Sequence, residues 1–300
     1  MREFGEKAYE ETVYINFDNN LQMKELFSVD MRIERIITGI ELYVGHKINA
    51  ENTLLIFDEI QEVPKALSAL KYFNEAREIQ GRILAAYEQD FSKHAPNEIV
   101  PRIRMLWNSI PAQLTKENKK FIYGIIKEGA RAKDYEMALM WLTDCGLVHK
   151  VHRVITPNIP LKAYEDLKAF KLFLVDVGLL GCMVRLNQTV LLDGNELFKE
   201  FKGALTEQYV LQQIKTLKGV EAYYWTNDRG NAEVNFLVDN GNEVIPIEVK
   251  AETNLKAKSL KTFHEKFTPK TAIRTAMTDY KQEDWLLNLP LWAVEMTKRG

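Results

Sequence analysis

The chain of 300 residues is long enough for two or three small domains, and 46% hydrophobic with 27% charged content is ordinary for a soluble globular protein. A formal net charge of −2 excludes a global field that advertises nucleic acid or membrane, so any such surface is local. No stretch approaches the roughly 18 uninterrupted apolar residues of a membrane span. "MREFGEKAYEE" is charged from its second residue and does not read as a signal peptide. Cys145 and Cys182 are two isolated cysteines in apolar surroundings, which predicts buried thiols in a reducing cytoplasm rather than a disulfide framework or a zinc site.

In chain order, residues 1–9 read as the end of a helix and "TVYINF" (12–17) as a strand. Helical spacing runs from 19 to 48, and "TLLIF" (53–57) is an apolar run suited to a parallel strand buried on both faces. Residues 64–92 read as helix, with Pro64 in its first turn, and a further helix is predicted over 101–110. "KENKKFIYGIIKEG" (116–129) and "DYEMALMWLTDCG" (134–146) read as two more helices, the second stopped by Gly146. A strand over 147–155 and another within 170–180 complete the order helix, helix, strand, loop, strand, which is that of a winged helix. The last section predicts a long amphipathic helix (196–217), strands at 222–227, 232–239 and 243–251, a basic helix (255–266), and strands at 271–277 and 289–295.

"TLLIFDEIQEV" (53–63) ends its apolar run in Asp58 and Glu59. A strand ending Asp-Glu suits the second motif of a nucleotide hydrolase, in which the aspartate holds Mg²⁺ and the glutamate polarises the attacking water. The plainer reading is a strand whose polar end meets solvent, with acids opening the next helix. The partner motif would be G-x-x-x-x-G-K-[ST], whose amides and lysine cradle the phosphates of ATP. These 300 residues hold no such stretch; Gly124 and Gly129 have the spacing, but Ala130-Arg131 follow them. Only two convincing strands precede residue 145, where a P-loop sheet needs about five.

The last section holds a second acidic constellation. In "EVIPIEVKA", alternation puts Ile245, Ile247 and Val249 on one face and Glu248 and Lys250 on the other. In "AEVNFLVD", Val234, Phe236 and Val238 share a face, leaving Glu233 and Asn235 opposite. A two-residue Asn240-Gly241 loop would set Glu233 against Glu248 and Asn235 against Pro246, placing all four polar groups on one face of a hairpin. That is the arrangement of a PD-(D/E)xK nuclease core, with Glu248 as a Mg²⁺ ligand and Lys250 stabilising charge on the phosphate. The plainer reading is a pair of repelling surface acids relieved by Lys250 and Arg229.

The stretches "MREFGEKAYEETVYINFD", "TLLIFDEIQEVPKALSALKYF", "AYEQDFSKHAPNEIVPRIRMLWNSIPAQLTKENKKFIYG", "FKGALTEQYVLQQI" and "YYWTNDRGNAEVNFLV…IPIEVKA" cover most of the chain. In them it resembles a family of prokaryotic AAA-type ATPases that join an ATPase core, a winged-helix segment and a C-terminal restriction-endonuclease-like domain of unknown function. The resemblance implies that Asp58 and Glu59 are the second nucleotide motif and that Glu207 is the helical acid of the nuclease-like site. It also implies aspartate where Asn235 stands, so metal affinity is expected to fall, with Glu233 a candidate substitute. In such proteins the phosphate loop lies just before the equivalent of "MREFG" and a sensor strand lies near Phe73 and Asn74, so both phosphate-sensing elements are expected to be missing from these residues.

The fold class expected is α/β: a remnant of an AAA-type parallel sheet (1–92), a helical and winged-helix segment (93–190) and a restriction-endonuclease-like mixed α/β domain (191–300). Lys250, Lys256, Lys258, Lys261, Lys266, Lys270 and Arg274 outweigh Glu252 and Glu265 and form a candidate DNA-backbone stripe. A second cluster, Lys116, Lys119, Lys120, Lys127, Arg131 and Lys133, reads as a solvated helix face. Trp107, Trp141, Trp285 and Trp292 read as core, as do Tyr223, Tyr224 and Trp225, and His149 and His152 fall on opposite strand faces, against a shared metal. Three functions are compatible with this sequence: an AAA-type ATPase with impaired ATP binding and hydrolysis, a Mg²⁺-dependent nuclease, and a non-catalytic DNA- or protein-binding module.

Overall fold

The computed structural model describes residues 5, 7–29, 32–49, 52–63, 75–116, 120–186, 199–227, 230–251 and 258–298. It forms two compact units, 1–79 and 80–300. The division falls inside a helix, Glu75–His94.

In the first unit β1 (Glu11–Asn16) and β2 (Thr53–Asp58) pair in parallel, from Glu11 with Thr53 to Asn16 with Asp58. Their crossover carries α1 (Leu21–Val29) and α2 (Ile33–Val44), so the single helical stretch expected over 19–48 is two helices. Alternation buries Val13, Ile15 and Phe17, and i,i+4 spacing buries Met23 with Phe27 and Ile36 with Ile40 against them. Phe17, Phe27 and Phe57 meet edge-to-face at 5.3–5.8 Å. Gly45 ends α2 at φ 84, where its N–H reaches the Glu41 carbonyl at 2.8 Å.

Helix α3 (Glu75–His94) runs into the second unit, where α4 (Val100–Leu114) follows it. Among the described residues of 116–129, where one helix was expected, the helix is the single turn α5 (Tyr123–Ile126). The reason is tertiary. Phe121 N–H donates to the Phe170 carbonyl at 2.8 Å, and the buried Gln113 amide takes both backbone groups of Ile122 at 2.9 Å. These bonds hold the chain extended just where a helix would have to start. Helix α6 (Ala132–Asp144) follows and stops at Gly146, φ 71, as expected.

Strands β3 (Val148–Val154) and β4 (Glu165–Leu174) then form an antiparallel pair. The second strand expected within 170–180 therefore starts earlier and ends sooner. Asp176 caps a new helix, α7 (Val177–Met183), accepting from the Leu179 N–H at 2.8 Å. After α8 (Lys199–Thr216) come β5 (Tyr223–Thr226), β6 (Glu233–Asp239), β7 (Val244–Val249), α9 (Lys258–Phe267), β8 (Ala272–Ala276), β9 (Lys281–Glu283) and β10 (Leu286–Pro290). The strand expected over 289–295 ends at Pro290 and gives way to a 3₁₀ turn, Leu291–Lys298. The expectation for 64–74 lies outside the described residues.

Among the described residues, the eight strands of this unit join one mixed sheet, in the order β4-β3-β5-β6-β7-β8-β10-β9. The parallel pairing of β3 with β5 carries the sheet across position 190/191, where a domain boundary was expected. The architecture is mixed α/β. Trp107 and Trp225 are fully buried and Tyr223 and Tyr224 nearly so. Trp292 is 72% exposed, however, and lines a groove of about 700 Å³ with Leu205, Tyr209 and Met277. Cys145 is exposed and Cys182 half-buried, so neither is the fully buried thiol its apolar neighbours suggested.

Candidate functional site

In the first unit Asp58 closes β2 at the C-terminal end of a parallel pair, the edge where ligands bind to open α/β sheets. The half-buried Asp58 carboxylate accepts from the Tyr14 hydroxyl and, at 3.3 Å, from the Asn16 amide. All three residues lie on the two paired strands, so the sheet register itself orients the acid. Glu59 is exposed and takes φ 54, ψ 34, the left-handed region that non-glycine residues rarely occupy. The tight turn sends the chain into a short 3₁₀ segment, Ile60–Glu62.

In the second unit the hairpin between β6 and β7 corrects the expected register. Phe236 pairs with Ile247, Leu237 with Pro246 and Asp239 with Val244. The loop is therefore four residues, 240–243, not two. Asn240 closes it by accepting, through its side chain, from the Asn242 and Glu243 N–H groups at 3.0 Å. A shift by two keeps side-chain parity within β7 but moves Asn235 level with Glu248. The alternation of β6 is itself broken, because its pairing with β5 slips between Tyr223 and Trp225. Val234 consequently packs with Leu237 and Trp225, while Phe236 and Val238 join the larger core.

The four polar residues expected together make different close polar contacts, although Glu248 still feels the charges of Glu207 and Lys171. Glu248, 5% exposed, pairs with the Lys250 ammonium at 2.7 Å and lies level with Arg274 on β8, which lies level with Asn288 on β10. Burial raises the Glu248 pKa above the ordinary glutamate value, and Lys250 offsets only part of this. Asn235 Oδ1 is engaged by the Val249 N–H at 2.8 Å. Glu233 turns instead to Lys171 of β4, which it meets in a short ion pair, and Glu207 of α8 approaches the same ammonium at 3.7 Å.

Lys171 was not singled out in the sequence, yet its side chain has no solvent exposure. Its ammonium also sits 4.9 Å from the centre of the Tyr224 ring. Burial alone would lower its pKa, but Glu233 and Glu207 outweigh that and hold it above the ordinary lysine value. One signal was available: Lys171 is the only charge in the apolar run "AFKLFLV", and a lysine in such a run requires a buried carboxylate.

Tested against a divalent ion, the donor set as placed does not fit. Glu207 and Glu233 face an ammonium, Glu248 faces another, and the Asn235 oxygen is bonded to backbone. Among the described residues no three His, Cys, Asp or Glu side chains converge as a metal site. The basic stripe is also reduced. Lys258, Lys261, Lys266 and Lys270 are exposed, but Arg274 is 8% exposed and bonded to Asn288 at 2.8 Å, and Lys256 lies outside the described residues.

The fold and sites thus define a mixed α/β protein with an acidic strand end in one unit and a buried ionic network in the other. Residues 1–106 match the family model of an AAA domain. Residues 64–190 match a domain of unknown function (DUF8612), and residues 202–294 match another (DUF4143). The first and last of these matches support an AAA-type ATPase family, which at family level implies nucleotide binding with Mg²⁺. No curated protein and no solved structure matches the chain. Among the described residues no helix is long and apolar enough to cross a membrane.

Proposed function

We propose that this chain is an AAA-type nucleotide-binding protein whose own 300 residues bind ATP weakly and hydrolyse it poorly, and whose second unit associates with DNA without cutting it. The observation that carries the nucleotide assignment is Asp58 at the C-terminal end of a parallel strand, oriented by Tyr14 and Asn16, within the AAA match. Asp58 would hold Mg²⁺ and Glu59 would act on water. The weak grip follows from the absence in this sequence of G-x-x-x-x-G-K-[ST], since most affinity for a triphosphate comes from amides and a lysine around its phosphates. Titrating the chain with a fluorescent ATP analogue is expected to give weak, magnesium-dependent binding that Asp58→Asn reduces further. Tight magnesium-dependent binding would overturn the reading.

Support for DNA association is narrower. Leu260 and Phe263 bury one side of α9, which leaves Lys258, Lys261 and Lys266 on its exposed side, with Lys270 just beyond. Such a stripe binds backbone phosphates, and each contact adds about 0.9 to the slope of log affinity against log salt. Fluorescence anisotropy with duplex DNA is expected to show salt-sensitive binding. Lys261→Glu with Lys266→Glu should reduce both the affinity and the slope, and Mg²⁺ should produce no cleavage products. Salt-independent binding, or none, removes DNA from the assignment.

A further inference from the structure

The acidic groups that the sequence marked as metal ligands already have a cation among them. We propose that the Lys171 ammonium is the resident cation at the meeting point of Glu207 and Glu233, so that these carboxylates bind no divalent metal in this chain while Lys171 is present. The inference concerns the second unit alone and stands whether or not Asp58 binds nucleotide.

Three observations carry it. Lys171 comes from β4 and reaches Glu233 on β6, three strands further into the sheet, as well as Glu207 on α8. Its side chain is wholly buried and Glu207 nearly so, which makes this an interior ion cluster rather than a surface pair that water would separate. Tyr224 closes one side of the ammonium with its ring face, a contact made with cations. A carboxylate pair in a protein interior needs positive charge, and a lysine or a divalent ion can each supply it. They cannot share the site at close range, because cations repel strongly where the dielectric constant is low. The lysine also links two regions that match separate family models: Lys171 lies in the 64–190 match, and Glu207 and Glu233 lie in the 202–294 match.

The test is a Mn²⁺ titration of the full chain, read by electron paramagnetic resonance and by the melting temperature at matched ionic strength. Every variant carries Asp58→Asn, so that the acids of the first unit do not contribute. The chain with Lys171 intact is expected to show no Mn²⁺ site that depends on Glu233. Lys171→Met, which keeps the stem and removes the charge, is expected to gain a site, binding Mn²⁺ roughly tenfold or more tighter because carboxylate charge governs affinity for a hard dication. Bound ion should also raise that variant's melting temperature by mass action. Adding Glu207→Gln and Glu233→Gln to Lys171→Met should abolish both effects. A Mn²⁺ site in the Lys171-containing chain that Glu233→Gln removes would overturn the proposal. So would a folded Lys171→Met chain that gains no site. If Lys171→Met does not fold, the comparison of the Lys171-containing chain with and without Glu233→Gln still decides the matter.

Discussion

Lys171→Met is expected to destabilise the chain by about 3–5 kcal/mol, the range seen when one partner of a buried ion pair is removed and the other is left uncompensated. The variant leaves Glu207 and Glu233 facing each other in the interior, where each must either carry an unpaired charge or take up a proton. Methionine fills nearly the same volume as the lysine stem, so cavity formation contributes little and the loss is mainly electrostatic. Adding Glu207→Gln and Glu233→Gln should therefore recover most of the stability, since replacing a whole buried ionic cluster by neutral groups is often close to neutral. Urea denaturation of the single and triple variants is the measurement, and no recovery in the triple variant would show that the ammonium acts by packing rather than by charge. The pH dependence gives a second check. The folded-state pKa of Lys171 is raised, so its contribution is fully present below the unfolded lysine value and is lost only as pH rises through the higher folded value. The Lys171 contribution to the deficit in Lys171→Met should thus be constant across neutral pH and shrink only under strongly alkaline conditions.

The parts of this molecule that were legible in the sequence are those set by local period. β-Branched and aromatic content marked β1, a short apolar run marked β2, and helical spacing marked the stretch that holds α1 and α2, because each pattern favours one kind of backbone. The strand and helix order from 199 to 276 was legible for the same reason. The failures lie where a distant partner overrides the local signal. The segment around Phe121 and Ile122 has helical composition, but Gln113 and Phe170 claim its backbone groups. The Asn240-Gly241 pair marked a turn correctly, yet the Asn240 side chain bonded two residues further on and lengthened the loop. That moved the register by two, so Glu233 no longer pairs across the hairpin with Glu248. Lys171 lies before residue 190 and its carboxylate partners lie beyond it. Its isolation within an apolar strand was visible, but which carboxylates answer it depends on β3 pairing with β5, a contact across more than seventy residues that no local pattern encodes.

Gln208→Leu is expected to cost about 1–3 kcal/mol for each of the two backbone groups it leaves unpaired. Gln208 is fully buried on α8, where its side-chain oxygen accepts from the Leu174 N–H at 2.9 Å and its amide donates to the Leu174 carbonyl at 2.6 Å. Strand β4 lies at the edge of the sheet, so outward backbone groups have no neighbouring strand to pair with. Gln208 acts there as a one-residue strand, presenting the donor and acceptor that a ladder would supply. One helical turn on, Gln212 accepts from the Val177 N–H at 3.0 Å and donates to Asp176 at 2.9 Å, so one stripe of α8 secures the whole β4–α7 corner. Leucine is close in size and a better match for a core, which makes the prediction a test of hydrogen bonding rather than volume. Native-state hydrogen exchange should show the Leu174 amide losing protection. Because Glu207 precedes Gln208 on the same helix, loosening this corner should also weaken the hold of Glu207 on Lys171. A double-mutant cycle between Gln208→Leu and Lys171→Met is then expected to be non-additive, the combined loss falling short of the sum. Strict additivity would mean that α8 keeps Glu207 in place without the Leu174 anchor, and that the ionic cluster is positioned by the hydrophobic face of the helix alone.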